Sequence, residues 1–314
     1  KFTQAESGAV MSGRRKFSWT PLQTDKLNKV IAILNELKAY RPLTLRQVYY
    51  QLVGKGFIEN KVSEYGMLSR LLKQARRDGY IPWEYIEDRV RAYHDLTGWG
   101  EAEDFIEASL KQFLRGYSRD LLQSQEVYLE IWIEKDALSS IFTRVARPYT
   151  IPVVVCRGFS SVSFLNDYKK RLEYCQGQRP ILLYFGDFDP SGVEMLRAME
   201  ITLQEELEVE GIEFKRVALL REHIAEHHLP HSPEALKKTD SRAFKHIAEY
   251  GELAVELDAL RPDILEAKIR EAIEGEIDLE LYASELETQE QEQDKLARLK
   301  AHIGEQAQVF LSNT

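Results

Sequence analysis

Hydrophobic positions in the middle of the chain follow the pattern of buried strands that alternate with helices. Ile181–Phe185 is a continuous apolar run, and Val127–Glu134 alternates apolar and polar residues before it becomes apolar. A third apolar run, Ile151–Cys156, lies between them in sequence. Runs of this length predict strands that are covered on both faces. Because Leu138–Arg147 and Ser163–Tyr174 have helical spacing, the pattern predicts a βαβαβ unit with a parallel sheet, hence an α/β fold.

Three helices are predicted ahead of this unit, at Thr20–Ala39, Leu45–Val53 and Ser63–Arg77. In each of them the apolar residues recur at the spacing of one helix face. Tyr80–Trp83 follows and is expected to form a short strand or wing. Three helices with a basic third helix resemble a winged-helix module, whose third helix enters the major groove or lies along phosphates.

The outer parts of the chain are also predicted to be mainly helical. Glu101–Tyr117 has one apolar face and is expected to be a linker helix. Val193–Leu207 is predicted to be a helix, and Phe214–Leu219 is predicted to return as a further strand. Glu285–Ala301 is highly charged and has no sustained heptad, so a solvated helix is expected there.

The amino-acid composition restricts the class of protein only slightly further. The chain has 314 residues, of which 44% are hydrophobic and 30% are charged. This length is sufficient for two domains, and no apolar run approaches the roughly 20 residues that span a membrane. The two cysteines, Cys156 and Cys175, provide no disulfide framework. We therefore expect a cytoplasmic protein.

Charge is distributed unevenly, although the net charge of the chain is −9. Met11 to Arg77 contains fourteen Lys and Arg against four Asp and Glu, an excess of +10. Such asymmetry is typical of proteins that bind an anionic polymer, although a solvated basic face would look the same. On the third predicted helix the cations lie opposite the apolar side: Arg70, Lys73, Arg76 and Arg77.

Acidic residues follow two of the predicted strands. Asp187 and Asp189 come directly after one strand, and Glu134 ends another. Parallel neighbours deliver their carboxyl ends to one edge of the sheet, where ligands gather in open α/β folds. Carboxylates that crowd together repel unless a proton or cation lies between them, and Mg²⁺ is the hard cation that prefers oxygen ligands. The alternative interpretation is a simple turn, because Asp-Pro-Ser-Gly is favourable turn chemistry.

A pair of tyrosines lies on the second predicted helix. Tyr49 and Tyr50 point about 100° apart, so one can pack inward while the other faces outward. Arg46 is four residues before Tyr50 and shares its face. A guanidinium can stabilise a phenolate and hold a phosphate, which a tyrosine nucleophile requires. By itself the pair is more typical of core packing.

These motifs together resemble a known family. A Glu after the first strand, Gly158 after the second and Asp-x-Asp-Pro after the third are similar to a Toprim domain. Trp132–Ala137 (WIEKDA) and Gly186–Gly192 (GDFDPSG) resemble the A subunit of topoisomerase VI and the related meiotic double-strand-break transesterase. Thr-x-Arg-x-x-Tyr-Tyr, ending at Tyr50, is similar to the catalytic tyrosine motif of these subunits. The chain is short for such a subunit and looks closer to the compact relatives called topoisomerase mini-A.

The resemblance implies a role for each motif. Tyr50, or Tyr49 in its place, would attack a DNA phosphate and form a phosphotyrosyl link. Glu134 would assist proton transfer or ligate a metal, while Asp187 and Asp189 would hold Mg²⁺, with Mn²⁺ as a substitute. Arg46 would position the phosphate. The implied activity is double-strand DNA cleavage by an isomerase of the type IIB topoisomerase class.

The resemblance also implies partners. Double-stranded DNA would be the substrate of a homodimer in which each tyrosine works with the metal site of the other copy. The chain has no Gly-x-x-x-x-Gly-Lys-Ser/Thr motif, so ATP-driven strand passage would need a separate ATPase subunit. Phe159-Ser160-Ser161 stands where the family commonly has Pro-Asp. Glu256 and Asp258 lie in a segment that is similar to the last conserved-looking segment of the family's A subunits. Their side chains would either support the metal site at the sheet edge or lie at a surface or an interface.

The expected domain organisation has five parts. Residues 1–13 would be a flexible leader and 14–92 a winged-helix domain that binds DNA and carries the catalytic tyrosine. Residues 93–124 would be the linker helix, 125–284 a Rossmann-like Toprim domain that binds metal, and 285–314 a charged C-terminal helix or tail. The protein would be associated with the nucleoid.

Two other functions remain open from the sequence. Toprim domains also occur in metal-dependent nucleases, such as the nuclease subunit of Wadjet-type plasmid defence, in which water is the nucleophile. In that case Tyr50 would be a packing residue. The chain would otherwise be a DNA-binding scaffold without catalysis. A covalent link between protein and DNA distinguishes the first hypothesis from both alternatives.

Overall fold

The computed structural model describes residues 17–87, 97–158, 160–175, 177–232, 236 and 241–312. The predicted leader (1–13), the boundary at residue 92 and the residue Phe159 lie outside these residues. The described part of the chain is an α/β structure in which helices cover a parallel sheet.

The sheet has the parallel arrangement that the sequence predicts. Its strands are β1 (Val127–Ile133), β2 (Val153–Val155), β3 (Arg179–Phe185) and β4 (Glu213–Ala218). They lie in the order β2-β1-β3-β4, and every neighbouring pair is parallel. Ile133 is opposite Phe185 in the register of β1 and β3, so the carboxyl ends of these two strands coincide.

The central strands carry apolar side chains on both faces of the sheet, and both faces are buried. Ile131 and Ile133 belong to one core, while Trp132 of the same strand belongs to a second core on the opposite face. On β3, Leu183 and Tyr184 divide in the same way. The continuous apolar runs are therefore explained by burial on both sides.

Helices form a layer on each face. The helices after β1 are α5 (Ser139–Ala146), α6 (Val162–Leu172), α7 (Pro190–Ile201), α8 (Arg221–Glu226), α9 (Ser241–Tyr250) and α10 (Pro262–Glu274). Phe142 of α5 and Ile269 of α10 belong to the first core, and Tyr168 of α6 and Met199 of α7 belong to the second. The β-strands thus form the middle layer of three.

The N-terminal helices agree with prediction to within a few residues. They are α1 (Pro21–Glu36), α2 (Leu45–Gly54) and α3 (Val62–Arg77). Thr20 and Thr44 each accept a hydrogen bond from a backbone N–H in the first turn, which explains where α1 and α2 begin. Of the two alternatives predicted for Tyr80–Trp83, the short strand is wrong: a 3₁₀ turn begins at Trp83, and Ile86 forms a single bridge with Leu43.

Two further helices lie outside the layers. They are α4 (Ala102–Gln112), shorter than the predicted linker helix, and α11 (Leu279–Ser312), which begins before the predicted charged tail. Arg119 binds Glu285 and Glu292 and so attaches the segment after α4 to α11. Across the residues that the structure describes, no helix combines the length and apolar character needed to cross a bilayer.

A buried carboxylate lies in the middle of the sheet. Glu130 on β1 is 0% exposed and accepts hydrogen bonds from Tyr128 Oη (2.6 Å) and Trp132 Nε1 (2.8 Å). Arg171 of α6 holds both carboxylate oxygens, from Nε at 2.7 Å and from Nη2 at 2.9 Å. Because a charge in this position must be paired, Arg171 fixes α6 on the sheet.

Replacing Arg171 with Ala is expected to destabilise the protein by about 2–4 kcal/mol, since Glu130 would remain buried without its cation. Urea denaturation of the two proteins measures the difference. Lys170→Ala is the matched control, because Lys170 is exposed and its ammonium pairs with Asp167 of the same helix, with no other ion pair among the described residues. Equal losses in the two variants would contradict the importance of the buried pair.

Candidate functional site

The strand ends bring two of the predicted acids together. Glu134 directly follows β1, Asp187 lies two residues after β3, and these strands are neighbours. Glu134 Oε2 accepts a hydrogen bond of 2.8 Å from the backbone N–H of Asp187. The two carboxylates therefore lie side by side at one edge of the sheet, as the order of the motifs predicts.

Asp189 begins α7. Its Oδ1 accepts a hydrogen bond of 2.7 Å from the N–H of Gly192, which is the usual contact of an N-cap residue. Gly192 must be glycine, because a Cβ there would lie 2.2 Å from the carbonyl oxygen of Asp187. The same Cβ would lie 3.1 Å from Glu134 Oε2. Glu134 and Asp189 thus both border the backbone of Gly192.

A segment far along the chain, residues 255–258, covers one side of the site. Phe188 and Val255 form an antiparallel bridge, and the N–H of Leu257 donates to Asp187 Oδ1 at 2.9 Å. Asp258 is then 0% exposed, behind the edge. The surface or interface alternative for Asp258 is therefore wrong: the bridge draws the segment into the core.

Lys135 occupies the space between these acids. Its Nζ is 2.6 Å from Asp187 Oδ2, 2.9 Å from Glu256 Oε2 and 3.5 Å from Asp258 Oδ2. Burial lowers the pKa of Lys135, but the neighbouring carboxylates, chiefly Asp187, outweigh burial and raise it. Lys135 is therefore a permanent cation among the carboxylates of Glu134, Asp187, Asp189, Glu256 and Asp258, which together are called the acidic edge below.

The helix with the tyrosine pair is attached to this edge through Arg46. The guanidinium of Arg46 holds Glu256 with two contacts, Nε to Oε2 at 2.7 Å and Nη2 to Oε1 at 2.9 Å. Since Glu256 also binds Lys135, a continuous row of ion pairs runs from α2 to Asp187. Arg46 thus points to the acidic edge.

Tyr50 lies inside the protein. It is 4% exposed, and its hydroxyl lies 3.4 Å from Ser232 Oγ. Asn60 donates to the same Ser232 oxygen at 3.3 Å and accepts a hydrogen bond of 3.0 Å from Tyr49. Burial, with a contribution from the charge of Glu256, raises the pKa of Tyr50 to about 12. Both tyrosines pack inward here, which is the arrangement expected of core residues.

Arg216 of β4 stabilises the turn between β3 and α7, called the acidic turn below, through hydrogen bonds to its backbone. Its guanidinium donates to backbone carbonyls of Gly186 at 3.2 Å, Asp187 at 2.5 Å, Gly192 at 2.9 Å and Leu219 at 3.1 Å. These bonds fix the turn in which Asp187 and Asp189 lie. The buried charge of Arg216 also offsets part of the charge on the edge.

Glu134 is one of the carboxyl groups at this edge whose pKa is raised. Its burial and the nearby charge of Asp187 raise the pKa of Glu134 to about 7. Burial also raises the pKa of Asp189. Both shifts have the direction expected where negative charge is crowded and poorly hydrated, so a bound cation would relieve them.

The donor set at this edge fits a magnesium ion held by few protein ligands. Within the described ranges, no three His, Cys, Asp or Glu side chains converge in the manner of a complete metal site. Asp187 is bonded to Lys135, which leaves Glu134 and Asp189 beside Gly192. Mg²⁺ usually takes one or two carboxylates and completes its shell with water and phosphate oxygens. These two residues therefore suit Mg²⁺ or Mn²⁺.

The predicted DNA-binding residues of α3 divide into two groups. Arg70, Lys73 and Arg77 are exposed. Arg76 instead packs its guanidinium 4.4 Å from the centre of the Trp83 ring and donates to the Trp83 carbonyl oxygen at 3.0 Å. Arg76 therefore holds the segment after α3, while the other three face solvent.

Sequence reasoning assigned no role to several residues of this site. Lys135 lies inside the WIEKDA motif, so its position next to Glu134 was a usable signal. Ser232 and Arg216 carry no local signal, because their contacts are made only after distant segments meet. Glu256 was recognised as a candidate for supporting the edge, and its ion pairs with Arg46 and Lys135 are in keeping with that alternative.

No protein-family model matches the chain, and no curated protein matches it either.

Replacing Glu134 with Gln is expected to stabilise the metal-free protein near pH 8 by about 1–3 kcal/mol, because a buried charge beside Asp187 is removed. A raised carboxyl pKa makes the native state lose stability as the pH rises from about 4.5 through 7. The advantage of the variant should therefore shrink as the pH falls towards about 5.

Urea denaturation in the presence of a chelator, at several pH values, measures this difference. Glu173→Gln is the control, since Glu173 is an exposed carboxyl group on the surface. A stability difference between Glu134→Gln and the original protein that stays constant with pH would contradict the raised pKa.

Proposed function

We propose that this protein cleaves DNA strands with a divalent metal ion, as a transesterase in which Tyr50 is the nucleophile. The observation that carries the proposal is the row of ion pairs from Arg46 through Glu256 and Lys135 to Asp187. It attaches the helix with the tyrosine pair to the acidic edge of the sheet.

The arrangement of elements supports a winged-helix and Toprim interpretation of the two halves. Helices α1 to α3 precede the sheet, and β1 and β3 deliver Glu134, Asp187 and Asp189 to one edge. We propose that Arg70, Lys73 and Arg77 on the exposed side of α3 contact DNA phosphates. Residues 14–92 and 125–284 would then be the DNA-binding and metal-binding units.

In the proposed reaction, the Tyr50 oxygen forms a bond to the DNA phosphorus while the bond to one deoxyribose oxygen breaks. The departing oxygen takes up a proton, and the tyrosine loses one. Glu134 lies beside the Asp187 backbone at this edge and would either exchange such a proton or help to hold the metal ion. Arg46 would orient the phosphate. When bound, the metal ion would stabilise negative charge on the phosphate oxygens.

Attack by Tyr50 requires its hydroxyl to leave Ser232. In the described arrangement the hydroxyl is buried, and its raised pKa opposes ionisation. Binding of DNA, or of a second copy of the chain, would have to open the contact with Ser232. Homodimerisation and a separate ATPase subunit remain predictions from the resemblance, as does association with the nucleoid.

The burial of Tyr50 favours a second candidate function. A metal-dependent nuclease would use water at the same acidic edge and would leave Tyr50 as a packing residue. The carboxylates would have the same roles in both reactions, but hydrolysis leaves no link between protein and DNA. The two functions therefore predict different products.

The identity of the nucleophile can be tested with end-labelled DNA, incubated with the protein and Mg²⁺ or Mn²⁺ and separated on denaturing gels. The transesterase predicts label that stays with the protein until protease is added. Tyr50→Phe should abolish this adduct, because it removes the attacking oxygen. Tyr49→Phe is the matched control and should retain it.

Three results would contradict the proposal in different ways. Cut DNA without adduct, in equal yield from the original protein and Tyr50→Phe, would establish hydrolysis. An adduct lost only in Tyr49→Phe would move the nucleophile to Tyr49. DNA binding without cleavage would favour a scaffold.

A further inference from the structure

We propose that Asn60 is a positioning residue for Tyr50: its side-chain amide joins α2 to residues 231–232 and so keeps the Tyr50 hydroxyl buried while no DNA is bound. The inference rests on the proposed function, in which Tyr50 is the nucleophile, and deepens it by naming the side chain that withholds this nucleophile. Asn60 lies between α2 and α3 and is partly buried. From there its amide contacts both the tyrosine helix and a segment that follows the sheet in sequence.

The contacts of Asn60 fix the direction of its amide. Nδ2 donates to the carbonyl oxygen of His231 at 2.7 Å, and because a carbonyl oxygen can only accept, the nitrogen must face this segment. The same Nδ2 donates to Ser232 Oγ at 3.3 Å. Oδ1, on the other side of the amide, accepts a hydrogen bond of 3.0 Å from the Tyr49 hydroxyl. One side chain thus donates to residues 231–232 and accepts from α2.

Tyr50 depends on this segment more than Tyr49 does. The Tyr50 hydroxyl lies 3.4 Å from Ser232 Oγ, and the residue is buried. The Tyr49 hydroxyl instead has further acceptors close to α2, the carbonyl oxygens of Glu59 at 3.4 Å and Lys61 at 3.2 Å. Movement of the segment away from α2 would therefore uncover Tyr50, while these hydrogen bonds of Tyr49 would remain.

The segment that covers Tyr50 is itself fixed to the acidic turn. The N–H of Ser232 donates to the carbonyl oxygen of Ala254 at 2.8 Å. Phe188, which belongs to the acidic turn, and Val255 exchange two backbone hydrogen bonds of 2.9 Å. A row of backbone contacts therefore runs from the acidic turn to Ser232, and Asn60 joins α2 to the end of this row. A DNA strand that separates α2 from the row would uncover the tyrosine hydroxyl.

Asn60→Asp isolates the donating half of the amide. The variant has nearly the same shape and keeps an oxygen that accepts from Tyr49, but it replaces the donating nitrogen with a second oxygen. At about pH 8 the aspartate is ionised and repels the carbonyl oxygen of His231. We expect residues 231–232 to move away from α2. Asn28→Asp places the same charge at an exposed position of α1 and is the matched control.

Nitration of the folded full chain by tetranitromethane measures the exposure of each tyrosine, and tandem mass spectrometry of the peptides separates Tyr49 from Tyr50. Tyr174, which is 81% exposed, gives the reference rate. In the original protein and in Asn28→Asp, Tyr50 should react at least about tenfold more slowly than Tyr174, because only rare open states expose it. In Asn60→Asp the Tyr50 rate should rise about tenfold, as expected for the loss of a buried hydrogen bond, while the Tyr49 rate stays low.

An unchanged Tyr50 rate in folded Asn60→Asp would overturn the proposal. An equal rise at Tyr168 and Tyr184, which are fully buried at the sheet, would also overturn it, because it would show a general loosening of the fold. So would a Tyr50 that reacts as fast as Tyr174 in the original protein, whether or not the variant folds. If Asn60→Asp does not fold, Asn60→Ala removes the same donor without adding charge and is judged by the same criteria. No DNA enters this test, so it decides the role of Asn60 separately from the adduct assay, which decides the nucleophile.

Discussion

The mutual repulsion of carboxylates at one edge of the sheet is the constraint on which the rest of the site depends. The parallel register of β1 and β3 brings Glu134 and Asp187 together, and Asp189 follows within one turn. Like charges that crowd together in a partly buried position repel one another. Lys135 and Arg216 offset the repulsion, the first through ion pairs and the second by holding the carbonyls of the acidic turn.

The same electrostatic network connects two parts of the chain that the sequence separates widely. Glu256 binds Lys135 on one side and Arg46 of α2 on the other. A change at the acidic edge, such as the arrival of a cation or a phosphate, would therefore alter the charges that hold the tyrosine helix. In the proposed reaction this connection would couple the position of α2, and with it Tyr50, to what binds at the edge, although the Tyr50 hydroxyl lies against Ser232.

The α/β class, the parallel sheet and the meeting of Glu134 with Asp187 were predictable because their signals are local. Apolar runs marked β1 and β3, and the acids just after them, Glu134 and Asp187, identified their carboxyl ends. The contacts that the sequence could not predict join residues far apart. Lys135 meets Glu256 across 121 positions, and Tyr50 meets Ser232 across 182 positions. Arg76 shows where helical spacing alone is insufficient. The spacing places its side chain with the predicted DNA-binding residues, but its guanidinium packs on the ring of Trp83, just beyond α3.

The most direct test of a metal-binding acidic edge is the anomalous scattering of Mn²⁺ in crystals of the protein. The account predicts an anomalous peak at ligand distance from Glu134 and Asp189, with Lys135 still bonded to Asp187. An ordered edge without a peak, or a manganese ion held only by other residues, would contradict it.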